Sequence, residues 1–246
     1  MGSRTIFERD GFVTLSSFYS EDELLAIEDA VECFIAERVP ALSPEHVYFE
    51  DKSNPSSLKQ IQWLHEHEPF FDRLMNDKPK ILAQKLLGES AVGKNIQYFN
   101  KPPESGQATP PHQDAYYFMI KPCQALTMWL ALDEVDEENG CIRYVSGSHM
   151  QGLRPHVRTE TLGFSQGISD YGDGDSDNEK VVMAAPGDLL VHHALTIHRA
   201  GSNQSATRGR RALGFIFYGE SAKEDAVAHA SYQQKLTQEM TAQGKI

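Results

Sequence analysis

The stretch Pro110-Pro111-His112-Gln113-Asp114-Ala115-Tyr116-Tyr117-Phe118 decides how this chain is read. In an extended strand successive side chains alternate faces, which sets His112 and Asp114 on the same side. An imidazole and a carboxylate so placed supply two members of a facial set. That set grips non-haem Fe(II) on one side and leaves the opposite positions open. The third member must come from another strand, and His198 in Leu195-Thr196-Ile197-His198-Arg199-Ala200-Gly201 is the candidate. Arg210 follows twelve positions later. A guanidinium there could hold the far carboxylate of a small diacid bidentately. A lone His-x-Asp pair also occurs on ordinary surfaces, so the signal lies in the four residues together.

His149, His156, His192 and His193 compete with His198 for the third position. If residues 192 to 198 ran straight, His192 would lie ~20 Å from His198 at about 3.3 Å per residue. A turn near 192–194 is therefore expected, with His198 on the returning strand. Beyond it, alternation puts Arg210, Ala212, Gly214 and Ile216 on a mostly small face with room for a ligand. Arg211, Leu213, Phe215 and Phe217 fall on a bulky face that packs under a covering layer. Arg210 is thus the better anion clamp, with Arg208 and Arg211 as alternatives; any one arginine alone reads as a solvated strand end. His65 and His67 form a rival i, i+2 pair beside Glu66 and Glu68, without a third ligand in a matching context.

The bulk properties narrow the classes. The chain has 246 residues, 40% hydrophobic and 24% charged, enough for one sizeable core. A net charge of -12 argues against general nucleic-acid or anionic-membrane binding without excluding a local basic pocket; a small-molecule substrate is what the family resemblance given below implies. Cys33, Cys123 and Cys141 are widely spaced without a Cys-x-x-Cys, which reads as buried reduced thiols. No run approaches a membrane span, and Met1-Gly2-Ser3-Arg4-Thr5-Ile6 carries no apolar signal segment, so a cytoplasmic location is expected. The sequence is silent on oligomeric state.

Along the chain, Phe7 to Leu15 reads as a helical turn and a short strand broken at Asp10-Gly11. Ser20 and Glu23 form a capping box, and Leu24, Ile27, Val31, Phe34 and Ile35 predict an amphipathic helix over 21–38 with Cys33 in the core. Residues 45–60 read as a loop, and two short helices are expected near 68–76 and 79–87. After residue 90 the pattern changes to strands at 92–100, 106–109, 113–119, 125–132, 141–146, 181–184, 188–192, 195–199 and 210–218. Many short strands punctuated by Gly, Pro, Asn and Asp argue a sandwich or barrel. The acidic stretch Asp170 to Glu179 lacks the EF-hand glycine and terminal glutamate and reads as a solvated loop between strands, placed where a lid would suit. A polar helical tail runs from about 221.

These residues resemble the phytanoyl-CoA dioxygenase family of Fe(II)- and 2-oxoglutarate-dependent oxygenases. The resemblance runs from Asp10-Gly11-Phe12 through His112-Gln113-Asp114, Trp129, Glu138-Asn139-Gly140-Cys141, Gly147-Ser148-His149 and Pro186-Gly187-Asp188 to His198 and Arg210. It implies a mainly β fold, a double-stranded β-helix (jelly-roll, cupin-like) with flanking N-terminal helices. As one domain over 1–246, the helical flank would cover about 1–90, the jelly-roll core about 91–220 and the tail about 221–246. It implies His112, Asp114 and His198 as iron ligands and Arg210 on the distal carboxylate of 2-oxoglutarate. Lys59, Gln97 and Trp129 would make further cosubstrate contacts. The expected reaction uses O₂ and 2-oxoglutarate to hydroxylate an aliphatic C–H, releasing succinate and CO₂. Two departures stand out: the family usually places the arginine where this chain has Gly209, and Ala200 replaces a common Ser or Thr. Related halogenases lack the carboxylate ligand, so Asp114 favours hydroxylation. The rival readings are a Zn²⁺ hydrolase on the same face, which needs no arginine clamp, and a non-catalytic metal- or 2-oxoglutarate-binding module.

Overall fold

The computed structural model describes residues 2–103, 106–242 and 244. The chain opens with α1 (Ser3–Asp10), β1 (Phe12–Leu15) and α2 (Glu21–Glu37), followed by β2 (Val47–Phe49) and β3 (Leu58–Ile61). Three short helices follow: α3 (Leu64–His67), α4 (Pro69–Asn76) and α5 (Lys78–Leu87). The capping box forms as expected, with Ser20 accepting from the Glu23 amide and Glu23 accepting from the Ser20 amide. It fixes the start of α2, whose buried stripe is Leu24, Ile27, Val31 and Phe34. Cys33 is exposed rather than in the core, because it falls off that stripe by more than half a turn from Val31. All three cysteines are free.

The core strands are β4 (Ala91–Lys101) and β5 (Thr109–His112), the one-turn α6 (Ala115–Phe118), then β6 (Ile120–Lys121), β7 (Ala125–Ala131) and β8 (Ile142–Val145). They continue through β9 (His156–Arg158), β10 (Gln166–Ile168), α7 (Asp173–Ser176), β11 (Glu179–Val182), β12 (Leu189–His193) and β13 (His198–Ala200). The chain then forms β14 (Arg210–Gly219), β15 (Lys223–Glu224) and α8 (Ala226–Ala242). A seven-stranded sheet in the order β1-β12-β7-β14-β4-β3-β2 faces a four-stranded sheet in the order β11-β8-β13-β5. All their pairings are antiparallel. This is the jelly-roll.

The large sheet is two-faced. Met128, Leu130, Val191, Leu213, Phe215 and Phe217 pack with Phe7, Ile27, Val31, Phe34 and Phe71 of the helices in one buried cluster. The alternate residues of the same strands, Trp129, Leu190 and Ala212, join Ile142 and Tyr144 of the small sheet inside the roll. The alternation expected for 210–217 therefore holds. Gly214 does not leave free space: a Cβ there would stand 2.7 Å from the Phe99 ring, so the small residue makes room for Phe99.

Several local expectations are corrected. Residues 45–60 are not all loop, because β2 and β3 extend the large sheet through Gln60 opposite Phe99, a tertiary pairing that polar composition conceals. The stretch 113–119 is not a strand. Asp114 is helical (φ -58°, ψ -31°) and begins a single turn in which the Tyr117 amide donates to Asp114 O at 2.9 Å. The adjoining strand is Thr109–His112 rather than 106–109. The turn before His198 spans 194–197 instead of 192–194, with the Thr196 amide on His193 O at 2.8 Å. The acidic loop contains the one-turn α7, and Arg154 clasps it through Asp170 at 3.0 Å and Asp175 at 2.6 Å. Among the described residues, no helix is long and apolar enough to cross a membrane.

Candidate active site

His112 ends β5, Asp114 begins the turn after it, and His198 starts β13 directly opposite His112 in the ladder. The three therefore meet through a strand pairing plus a bend, rather than through one extended strand. His112 Nε2 and His198 Nε2 lie 3.5 Å and 3.7 Å from Asp114 Oδ1. One ligand atom from each residue falls within 4.8 Å of the other two, and no other group of this kind is found among the described residues.

The hydrogen bonds behind these residues settle which atoms face inward. His112 Nδ1 is 2.8 Å from Pro110 O, and His198 Nδ1 is 3.0 Å from Thr196 O. A carbonyl oxygen can only accept, so both protons sit on Nδ1 and both Nε2 lone pairs point at the shared centre. Asp114 is divided in the same way. Its Oδ2 accepts from Thr127 Oγ1 at 2.5 Å and from His192 Nε2 at 3.1 Å, which leaves Oδ1 facing the two imidazoles. Tyr144, fully buried, donates its hydroxyl to His192 Nδ1 at 3.1 Å and fixes that tautomer.

The electrostatics agree. Burial alone would raise the Asp114 carboxyl, but His198, His112 and His192 hold it well below its usual range. Burial, with His112 and His192 nearby, pushes His198 well below the usual imidazole value. Neutral imidazoles and an ionised carboxylate are the protonation states that metal binding requires.

Behind this cluster runs a cavity of about 660 Å³, lined by all three residues and by Lys59, Gln97, Trp129 and Arg210. Arg210 is 5% exposed, and burial lowers it to about 10. Its Nη1 donates to Gly140 O at 2.9 Å, its guanidinium carbon stands 5.0 Å from the Trp129 ring centre, and its Nε has no partner. Gly140 is needed there: its φ is +89°, and a Cβ would come within 2.5 Å of Gly201 O. Arg208 instead pairs with Asp136 and Glu138, and Arg211 with Asp133 and Glu28. Of the three arginines, only Arg210 lines the cavity. Gln97 Oε1 accepts from Gln60 Nε2 at 3.2 Å, and Lys59 Nζ lies 2.8 Å from Glu50 Oε1 in an ion pair.

Apart from His192, the residues that competed in sequence go elsewhere. His149 Nε2 contacts Glu8 O at 3.2 Å, and His156 Nε2 accepts from the Gln113 amide at 3.2 Å. His193 faces α1 and packs against Phe7. His65 accepts from the Ile96 amide at 3.4 Å and His67 contacts His46 at 3.3 Å. Tyr117 and Phe118 line the cavity, whereas Tyr98 packs in the outer core.

Sequence reasoning missed Thr127, Tyr144 and Lys101, and it treated His192 only as a rival ligand. Lys101 is 4% exposed, stands opposite Arg210 in the ladder and donates to Gly201 O at 2.6 Å. Burial first, then Arg210 and Lys59, push it well below the usual lysine value, with Glu50 opposing. It lies four residues after Gln97 on one strand, so alternation from Gln97 could have found it.

A jelly-roll that presents neutral imidazoles, a carboxylate and a buried arginine to one cavity is the framework of the iron- and 2-oxoglutarate-dependent dioxygenases. A family model described as Phytanoyl-CoA dioxygenase (PhyH) matches residues 7–212, and the chain belongs to that family. It is 26% identical over 253 residues to the peroxisomal phytanoyl-CoA dioxygenase of Rattus norvegicus, covering 96% of this chain and 73% of that one. It is also 27% identical over 221 residues to a probable alpha-ketoglutarate-dependent hypophosphite dioxygenase of Stutzerimonas stutzeri, covering 87% of this chain and 76% of that one. In fold it matches EctD from S. alaskensis, solved with 2-oxoglutarate and 5-hydroxyectoine, at TM-score 0.73 and 20% identity, over 89% of this chain and 75% of that one.

Proposed function

We propose that this chain hydroxylates an aliphatic C–H bond of a small molecule, converting 2-oxoglutarate and O₂ to succinate and CO₂. The observation that carries the reading is the paired Nδ1 locks on His112 and His198, which aim two lone pairs at the oxygen of Asp114 that its other hydrogen bonds leave over. His112, Asp114 and His198 would hold Fe(II). Bound there with 2-oxoglutarate, the metal would supply O₂ activation.

The chain's own part is orientation. Arg210 would take the distal carboxylate of 2-oxoglutarate through its Nε side, with Trp129 against its guanidinium and Gln97 lining the same cavity. Lys101 and Lys59 add positive field at the same end; burial first, then repulsion from Arg210 and Lys59, lowers Lys101, and a diacid would offset the repulsion. A Zn²⁺ hydrolase would not need this buried cationic end. We take the helical flank, core and tail to act as one unit in a cytoplasmic setting, in keeping with three free cysteines.

Anaerobic titration with Fe(II) and 2-oxoglutarate tests the assignment. The expected result is a weak visible charge-transfer band that appears only with both present. Its absence, or turnover that continues without O₂, would favour the hydrolase. A band without succinate release across a broad set of candidate substrates would favour a binding module.

A further inference from the structure

The mouth of the cavity is built differently from its floor. Helix α8 lies across it, and His229, Tyr232, Leu236 and Met240 line the cavity from one side of the helix at three- and four-residue spacing. The helix is tied down by Tyr232 Oη on Ser165 Oγ at 2.8 Å and by Arg158 on Glu239 at 2.6 Å. Tyr116 and Tyr117 stand 6.3 Å and 6.4 Å from the Tyr232 ring.

The cations along the cavity are Lys59, Lys94, Lys101, Arg199 and Arg210. Lys59, Lys101 and Arg210 belong to the cosubstrate end, and Arg199 is held by Glu179 at 2.5 Å and 2.7 Å. Of these five, Lys94 is left on the side of α8, through the carboxylate it shares with His229. It pairs with Glu224 at 3.4 Å and sits 5.0 Å from the Tyr218 ring centre. Glu224 also takes His229 at 3.2 Å, and Glu66 adds a further carboxylate to the lining. Lys121 and Lys223 are cross-strand partners on the β6–β15 ribbon. Strand alternation turns them away from the face on which Glu224 meets the cavity.

We propose that α8 is the substrate-selecting wall of this site, and that its aromatic and aliphatic stripe, with Lys94 neutralised by Glu224, selects an uncharged, carrier-free molecule bearing an apolar chain or ring. A coenzyme A ester would bring phosphates to a mouth that offers them Glu66 and Glu224 and no uncommitted cation among its described lining residues. The inference rests on the oxygenase reading above, since it takes the floor of the cavity for 2-oxoglutarate.

The test uses the full chain with Fe(II) and 2-oxoglutarate under anaerobic conditions. The chain's two tryptophans, Trp63 and Trp129, both line the cavity, so their fluorescence reports its occupancy. The probes are the decanoyl thioester of N-acetylcysteamine and decanoyl-coenzyme A, which share the acyl chain and differ in the anionic carrier. The uncharged thioester should bind tighter, on the order of tenfold, and added salt should narrow the gap by screening repulsion. Leu236→Arg should narrow the preference and Leu236→Glu should widen it. Tighter binding of the coenzyme A ester, weakened by salt, would overturn the substrate class. No binding of the uncharged probe in a preparation that shows the charge-transfer band would overturn it too. A preference that both Leu236 variants leave unchanged would remove α8 from the selecting role. Absence of the band itself would sink the oxygenase reading and this inference together.

Discussion

The two faces of the large sheet use neighbouring residues for opposite purposes. On β14, Arg210 points into the cavity with its Nε unpartnered, while Arg211 points outward and is clasped by Asp133 at 2.8 Å and Glu28 at 2.8 Å. On β12, His192 reaches Asp114 from inside and His193 packs against Phe7 outside. On β14 one step along the strand separates a group held ready for a ligand from a group already satisfied, and on β12 it separates a histidine that steadies the site from one that packs the outer core. Inner substitutions should therefore change binding and turnover, and outer ones should change stability.

The largest effect is expected at Asp114. Asp114→Ala should abolish substrate-coupled succinate release while circular dichroism stays native; retained coupled turnover would remove this carboxylate from the metal set. Next comes the arginine pair. Arg210→Ala should raise the 2-oxoglutarate requirement roughly ten- to a hundredfold, the scale of hydrogen bonds to a charged group. Arg211→Ala should lower the melting temperature and leave that requirement nearly unchanged. A reversed outcome would break the inner/outer distinction.

The histidine pair gives smaller effects. His192→Phe removes a donor to Asp114 Oδ2 and should weaken Fe(II) binding by about 10–100-fold in an anaerobic titration. His193 should instead show itself in the pH dependence of unfolding. Burial, with His149 and His192 near, lowers it from 6.5 to about 4. Between those values the unfolded chain binds the proton and the folded chain does not, so stability falls as pH drops through that window. His193→Gln should flatten that slope in urea titrations; an unchanged slope would assign the acid sensitivity to another group.

How much of this was legible in sequence depends on the range of the signal. The capping box at Ser20 and the bulky/small alternation after Arg210 are local and were readable. The pairing of His112 with Asp114 was readable from spacing for the wrong reason, since a bend rather than a strand brings them together. Thr127, Tyr144 and His192 were not legible as a group. Their roles exist only once β7, β8 and β12 are folded around Asp114, and nothing in a lone Thr or Tyr on a strand announces a hydrogen bond to a distant carboxylate. The strands β2 and β3 were hidden likewise, because edge pairing rather than composition makes them.

The proline pair ahead of His112 has one more consequence. β5 is the outermost strand of the small sheet, and neither Pro110 nor Pro111 carries an amide hydrogen to offer a passing chain. An unprotected rim of this kind invites another polypeptide to zipper onto it. Here Pro110 presents the carbonyl that steadies one imidazole, and with Pro111 it leaves that rim short of donors, so tautomer control and a poor template for strand addition share a dipeptide.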